Sequence, residues 1–257
     1  MQKKIVFFDI DGTLLDHHKQ LPASTKEAIQ ELKNKGVYVA IATGRAPFMF
    51  EDIRKELDIH SYVSFNGQFV VFEGKTVYEN PLEKEELANL YNKALDLDYP
   101  LVYLNNQEMR ASVSDHPFIS ESMGSLKISY PKVDPDFYKV NKIHQALIFC
   151  ENEQEKLFAR AHDRLHFLRW HDYSCDILPI GGSKAVGVEK LIEASGLDLQ
   201  DTYSFGDGLN DIEMLKETGT GIAMGNAVPE LKKVADFTTA SVDQDGIRKG
   251  LEYVNLV

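Results

Sequence analysis

The chain has 257 residues, of which 43% are hydrophobic and 26% charged, the make-up of a globular protein with a substantial core and room for one large domain or two modest ones. Its formal net charge of −12 excludes nucleic acid and anionic membrane as main partners, because both demand a basic face. Any bound anion must be held by local positive charge against that global field. Two cysteines, Cys150 and Cys175, make no disulfide framework. The apolar run from Ile5 to Phe8 is far too short for a signal sequence or a bilayer span, and a cytoplasmic setting is the expectation.

In chain order, Ile5 to Phe8 reads as a buried strand that runs into two acids, Asp9 and Asp11, and then Gly-Thr. The stretch "PASTKEAIQELKNKG" predicts a helix, with a capping box at Ser24 and Glu27 and a stop at Gly36. "VYVAIA" is a second buried strand, "TGR" a loop, and "PFMFEDIRKEL" a helix with Pro47 in its first turn. "YVSF" is a third strand, and "FVVFEGKTVYE" a hairpin turning at Gly74-Lys75. Strands separated by helices imply parallel pairing. From residue 83 to 178 the texture changes: helical stretches at 83–97 and 151–163 alternate with short strands near 101–104, 145–150, 166–170 and 173–178. After "PIGGSK" the strand–helix alternation resumes, with a helix at 184–194, the strand "TYSF" and the loop "GDGLND". The pattern predicts an α/β fold: a Rossmann-like core of residues 1–82 and 179–257, with a mainly parallel sheet and helices on both faces. An α+β module at 83–178 is inserted into it.

Ligands of an open α/β sheet gather beyond the carboxyl ends of its strands, and four polar clusters fall there. They are Asp9 to Thr13, Thr43-Gly44-Arg45, Gly182-Ser183-Lys184 and Gly206 to Asp211. Asp9 and Asp207 would make a hard, oxygen-only site suited to Mg2+, which likes to bridge carboxylate and phosphate oxygens. Lys184 adds a positive charge, and the Thr43 hydroxyl and nearby N–H groups can take phosphate oxygens. On this reading a carboxylate at the end of a buried strand is tolerated because Mg2+ and Lys184 neutralise it. Each cluster alone has a plainer explanation: turn acids at Asp9 and Asp11, a helix cap at Thr43, a surface lysine at 184.

The order of the clusters is more specific. "DIDGTLLD", "ATGR", "SKAVGVEKL" and "GDGLNDIEML" resemble the four ordered motifs of the haloacid dehalogenase superfamily, and most closely its Cof-type phosphatases. "FNG" at 65–67 and "IAMGNA" at 222–227 are similar to further segments of that group, whose large α/β cap falls where the middle module lies. The resemblance implies that Asp9 is the nucleophile and is converted to an aspartyl-phosphate, with Asp11 as acid and base. It implies phosphate contacts from the Ile10 N–H, Thr43, Gly44, Lys184 and Asn210. Asp9, the Asp11 carbonyl and Asp207 would hold Mg2+, with Asp211 orienting Lys184 or a metal-bound water from behind. Arg45, for which a structural ion pair weighs equally, and Asn66 are candidate substrate contacts.

The substrate expected is a small phosphorylated metabolite, a sugar phosphate or a cofactor-type phosphate. Two alternatives stand beside hydrolysis: a phosphomutase of the same superfamily, and a non-catalytic phospho-Asp regulatory module. Oligomeric state is left open. His162 and His166, at i and i+4, read as solvated or packed side chains rather than metal ligands, because a helix end falls between them. Cys175 reads as core, as do Trp170 and the tyrosines and phenylalanines of the middle module, with one or two of these aromatics left as candidates for the mouth of the site.

Overall fold

Short runs of β-branched and aromatic residues alternate with amphipathic stretches, and the backbone follows that alternation. The structure is a computed structural model and describes residues 3–257. Its strands begin with β1 (Ile5–Phe8), β2 (Tyr38–Ala42), β3 (Ser61–Ser64), β4 (Phe69–Phe72) and β5 (Lys75–Glu79). Next come β6 (Leu101–Leu104), β7 (Met109–Ala111), β8 (Lys132–Val133), β9 (Gln145–Phe149), β10 (Leu165–His171) and β11 (Ser174–Pro179). The last are β12 (Thr202–Gly206), β13 (Thr220–Ala223) and β14 (Phe237–Thr238). The helices begin with α1 (Ala23–Asn34), α2 (Glu51–Leu57), α3 (Lys84–Asp96), α4 (Pro117–Ser125) and α5 (Phe137–Val140). They continue with α6 (Lys156–Ala159), α7 (Lys184–Ser195), α8 (Ile212–Glu217), α9 (Pro229–Lys232) and α10 (Gly246–Tyr253).

The chain divides into two compact units. The first combines the chain up to Arg45 with Met49–Tyr78 and Ser183–Val257. Its sheet runs β14-β13-β12-β1-β2-β3-β4-β5, parallel from β14 through β3 and antiparallel between β3 and β4. The four residues of β1 are wholly buried, as a strand covered on both faces requires. The chain leaves β1 for β2 on one side, while β12 arrives on the other, so β1 sits at a switch point of the strand order. Phe8 is in register with Phe205 and Ile41, which brings the loops after β1, β2 and β12 to one end of the sheet. The fold is therefore the expected α/β core with an inserted α+β unit, and its sheet is mixed.

The second unit holds Ala46–Phe48 and Glu79–Gly182. Its sheet runs β10-β11-β9-β6-β7-β8, antiparallel except for the β7–β8 pair. One face packs Leu101, Tyr103, Ala146, Ile148 and Ile177 against Leu87 and Leu90 of α3 and Phe158 of α6. Cys150 and Cys175 are free and buried in the same cluster.

Several local expectations are corrected. The Ser24–Glu27 capping box does not form: α1 starts after Pro22 without a side-chain cap, and the rigid φ of proline sets the entry instead. "PFMF" is a separate 3-10 turn before α2, because the chain bends at Phe50 to bury that ring edge-on to Tyr62 at 5.6 Å. The hairpin turns at Glu73-Gly74, with Lys75 already in β5. The helix expected at 151–163 shrinks to α6, since Glu153 adopts a left-handed φ of 70° that no helix continues through. His166 lies on β10, while His162 is buried against Glu86 (Nδ1 to Oε2, 3.0 Å), so the two do not share a helix face. Trp170 is only partly buried and stands outside the apolar cluster of its unit.

The stacked rings of Phe8 and Phe205, 5.1 Å apart and fully buried, lock β1 to β12 just below the loops. Phe205→Ala is expected to cost about 3–5 kcal/mol in urea unfolding. It should also lower activity in the folded fraction, because the ends of both strands lose their spacing.

Candidate active site

Asp9 leaves the end of β1, Thr43 the end of β2 and Asp207 the end of β12, three neighbouring strands. Lys184 opens α7, whose N-cap Ser183 accepts the Val186 N–H. The Lys184 side chain is entirely buried. Its ammonium donates to Asp9 Oδ1 at 2.5 Å and to Asp211 Oδ1 at 2.7 Å. The second oxygen of Asp211 accepts the N–H groups of Asp207 and Gly208 at 3.0 and 2.9 Å. One carboxylate thus fixes both the lysine and the loop after β12.

Asp207 is steadied from the other side by the Thr13 hydroxyl, which donates to its Oδ1 at 3.2 Å. Gly12 has a φ of +78°, and a Cβ on it would fall 2.2 Å from Asp207 Oδ2. Only glycine combines that conformation with that approach. Asn226 ties the turn down, donating to the Gly12 carbonyl at 2.8 Å and accepting the Val242 N–H at 2.9 Å.

Oxygens of Asp9, Asp207 and Asp211 lie within 4.8 Å of one another. Three carboxylates thus face one ammonium. Burial raises the Asp9 pKa well above the carboxylate range; Lys184 opposes that shift, and the charges of Asp211 and Asp207 add to it. Burial, then the Asp211 charge, pushes Asp207 up to about 6. Burial also works against the charged form of Lys184, but Asp211 and Asp9 outweigh it and the ammonium pKa rises. An excess of negative charge presented by oxygen donors alone fits a hard divalent cation such as Mg2+. Asp211 already has both oxygens engaged, so Asp9 and Asp207 are the side chains with an oxygen to offer.

The Asp11 carboxylate does not join this cluster. It accepts Arg45 Nη2 and Nε at 2.6 and 3.0 Å and Lys19 Nζ at 2.5 Å. Partial burial opposes its ionisation, but Arg45 and Lys19 prevail and hold the carboxyl below the usual range. Arg45 therefore makes a forked ion pair, the structural role weighed for it from sequence. The buried Thr43 hydroxyl accepts the Arg45 N–H at 3.2 Å. The Thr43 carbonyl takes the Asn66 N–H at 3.1 Å. The Asn66 amide lies directly against Gly44, where a Cβ would come within 3.0 Å of it. Ile10 is buried and its carbonyl accepts the Leu15 N–H at 2.8 Å. Asn210 is exposed on the loop after β12.

Sequence reasoning missed Thr13, Lys19 and Asn226. Thr13 and Asn226 stood inside quoted motifs without a role. Lys19 had no signal, since nothing in its neighbourhood foretells that it folds back onto Asp11.

A family model described as haloacid dehalogenase-like hydrolase matches residues 6–251, and the chain belongs to that family. Bacillus subtilis YkrA, whose name gives a phosphatase and no substrate, is 49% identical over 257 residues, covering all of both chains. Bacillus subtilis YitU, a 5-amino-6-(5-phospho-D-ribitylamino)uracil phosphatase, is 28% identical over 98% of each chain. The crystal structure of a Geobacillus kaustophilus HTA426 protein superposes with a TM-score of 0.97 at 57% identity, covering 99% of this chain and 100% of that one. Family and relatives together identify an enzyme, a phosphoric monoester hydrolase of the haloacid dehalogenase type with a Cof-like cap. No helix among the described residues is long and apolar enough to cross a membrane.

The charge surplus has a measurable signature. Asp207 titrates at about 6 in the folded chain against 3.8 when free, so the folded state holds that proton more tightly. Its contribution to stability falls as pH climbs through that interval. Asp207→Asn should therefore stabilise the metal-free protein at neutral pH by roughly 1–2 kcal/mol. It should also abolish the rise in melting temperature that MgCl2 gives the wild type, both read by calorimetry. Gly12→Ala should weaken Mg2+ stabilisation without touching a ligand, because it displaces Asp207.

Proposed function

We propose that the chain is a Mg2+-dependent phosphatase that hydrolyses a small phosphorylated metabolite, a sugar phosphate or a cofactor-type phosphate, through a phosphorylated Asp9. The observation that carries this reading is the buried Lys184 ammonium shared between Asp9 and Asp211 beside the Asp207 carboxylate. The phosphatase names of YkrA and YitU support it. Bound Mg2+, held by Asp9, Asp207 and the Asp11 carbonyl, would neutralise phosphoryl charge in the transition state.

The protein's own groups do the rest. Lys184 keeps Asp9 ionised and adds positive charge where the transferring oxygens gather. Asp9 attacks phosphorus, the ester oxygen leaves with a proton from Asp11, and the acyl phosphate on Asp9 is then opened by water. Splitting one hard displacement into two is what a carboxylate nucleophile offers. Thr43, Gly44, Asn210 and the Ile10 N–H hold the phosphoryl oxygens. Asp11, ionised by Arg45 and Lys19 in the resting chain, is ready as the base for the water step. To donate a proton it must first exchange those two partners. Arg45 and Asn66, both bound to the Thr43 loop, are the candidate contacts for the rest of the substrate.

Asp9→Asn should abolish phosphate release from p-nitrophenyl phosphate with Mg2+ present and leave the circular dichroism spectrum unchanged; turnover at the wild-type rate would overturn the assignment. Asp11→Asn should accumulate covalent phosphate, seen as a mass increase of the intact protein. Lys184→Ala should lose at least about a hundredfold in kcat/KM. Phosphorus NMR separates hydrolysis from a mutase: free phosphate supports the first, and an isomerised ester without free phosphate the second.

A further inference from the structure

The turn that joins β3 to β4 holds the one place among the described residues where two non-glycine residues in succession have positive φ. Phe65, Asn66 and Gly67 follow one another at 52°, 51° and 96°. Left-handed backbone is costly for a residue with a side chain, and for a ring as bulky as that of Phe65 it persists only where the surroundings enforce it. Phe65 and Gly67 are buried, so the strain sits inside the first unit and not at a free loop tip.

What enforces it lies on two sides. On one side the segment grips the loop after β2. The Val63 carbonyl accepts the Thr43 N–H at 2.9 Å, and the Phe65 and Asn66 N–H groups donate to the carbonyls of Arg45 and Thr43 at 3.3 and 3.1 Å. On the other side Gly67 meets the first turn of α7, main chain against main chain. A Cβ on Gly67 would fall 2.0 Å from the Ser183 carbonyl oxygen, and one on Gly187 would fall 2.7 Å from the Gly67 Cα. The Ser183 carbonyl accepts the Gly187 N–H at 3.2 Å, so Gly67 abuts the opening hydrogen bond of the helix that begins with Lys184. A side chain can change rotamer to absorb a displacement, whereas two close-packed stretches of backbone pass it on. The turn therefore links the Thr43 loop to the Lys184 helix with no side chain between them as a cushion.

We propose that the Phe65–Gly67 turn is a positioning element of the reaction: it sets the spacing at which the Thr43 hydroxyl and the Lys184 ammonium meet one phosphoryl group. For what those two groups do, this rests on the phosphatase reading. Gly67 acts only through the two elements that it joins.

Gly67→Ala and Gly187→Ala approach this contact from its two sides, and the second introduces no left-handed alanine. With p-nitrophenyl phosphate and Mg2+, measured well below each melting temperature, both should lower kcat by about tenfold to a hundredfold. KM should change by less than about threefold, because the carboxylates of Asp9 and Asp207 are not touched. The double variant should lose little more than the worse single one, since both open the same contact. Gly74→Ala is the control: its φ is +75° and nothing lies within 4 Å of the added Cβ, so it should melt lower and keep its kcat. A kcat within about twofold of the wild type in both folded variants would overturn the proposal. So would an equal loss in Gly74→Ala, or a double variant whose loss is the product of the single ones. If Gly67→Ala does not fold, Gly187→Ala against Gly74→Ala decides alone. The phosphatase reading fails on a different result: no phosphate from p-nitrophenyl phosphate by the wild type with Mg2+.

Discussion

Everything at the end of the larger sheet is arranged around one buried ammonium. Lys184 has no access to water, and a charge so placed survives only with partners of excellent geometry. It has two, Asp9 and Asp211, and Asp207 adds a third carboxylate to the cluster. Burial first, and then a balance still short of positive charge, push the carboxyls of Asp9 and Asp207 upward rather than downward. A site left in electrostatic deficit is pre-organised for a cation, and through it for an anion that the acidic chain as a whole would repel.

Backbone geometry serves this cluster. Placing β1 at the switch point of the strand order sets three loop ends side by side. The positive φ at Gly12 and its missing side chain let the first loop press against Asp207. Asn226, from the loop after β13, then pins that turn. Each support is a directed hydrogen bond or a close approach that a small displacement would lose, so precision here depends on the strand pairing beneath it.

Much of this was legible in the sequence. The core strands, the helix beginning at Lys184 and the convergence of Asp9, Lys184 and Asp207 follow from periodicity, because the acids and glycines sit directly after apolar runs. The place of Asp211 beside Lys184 comes instead from the family resemblance of the ordered motifs. What stayed hidden was non-local or weakly patterned. Thr13 and Asn226 bond across long sequence separations, and nothing local announces their partners. The pairing of Asp11 with Arg45 and Lys19 depends on how two loops fold back. In the middle unit β7, β8, α4 and α5 are too short or too irregular for periodicity to find. The capping-box rule yielded to a proline entry at α1 of the first unit, and the long-helix rule to a left-handed Glu153 in the second.

The parallel pairing of β1 with β12 joins residues 5–8 to residues 202–205. A ribosome therefore releases the strand that leads into Asp9 long before the partners that hold its charge exist, and this ladder closes only after residues 202–205 have emerged. Such late closure of a distant contact slows folding. It also means that no product ending before Asp211 can assemble this cluster, because Lys184, Asp207 and Asp211 all follow the second unit in the chain.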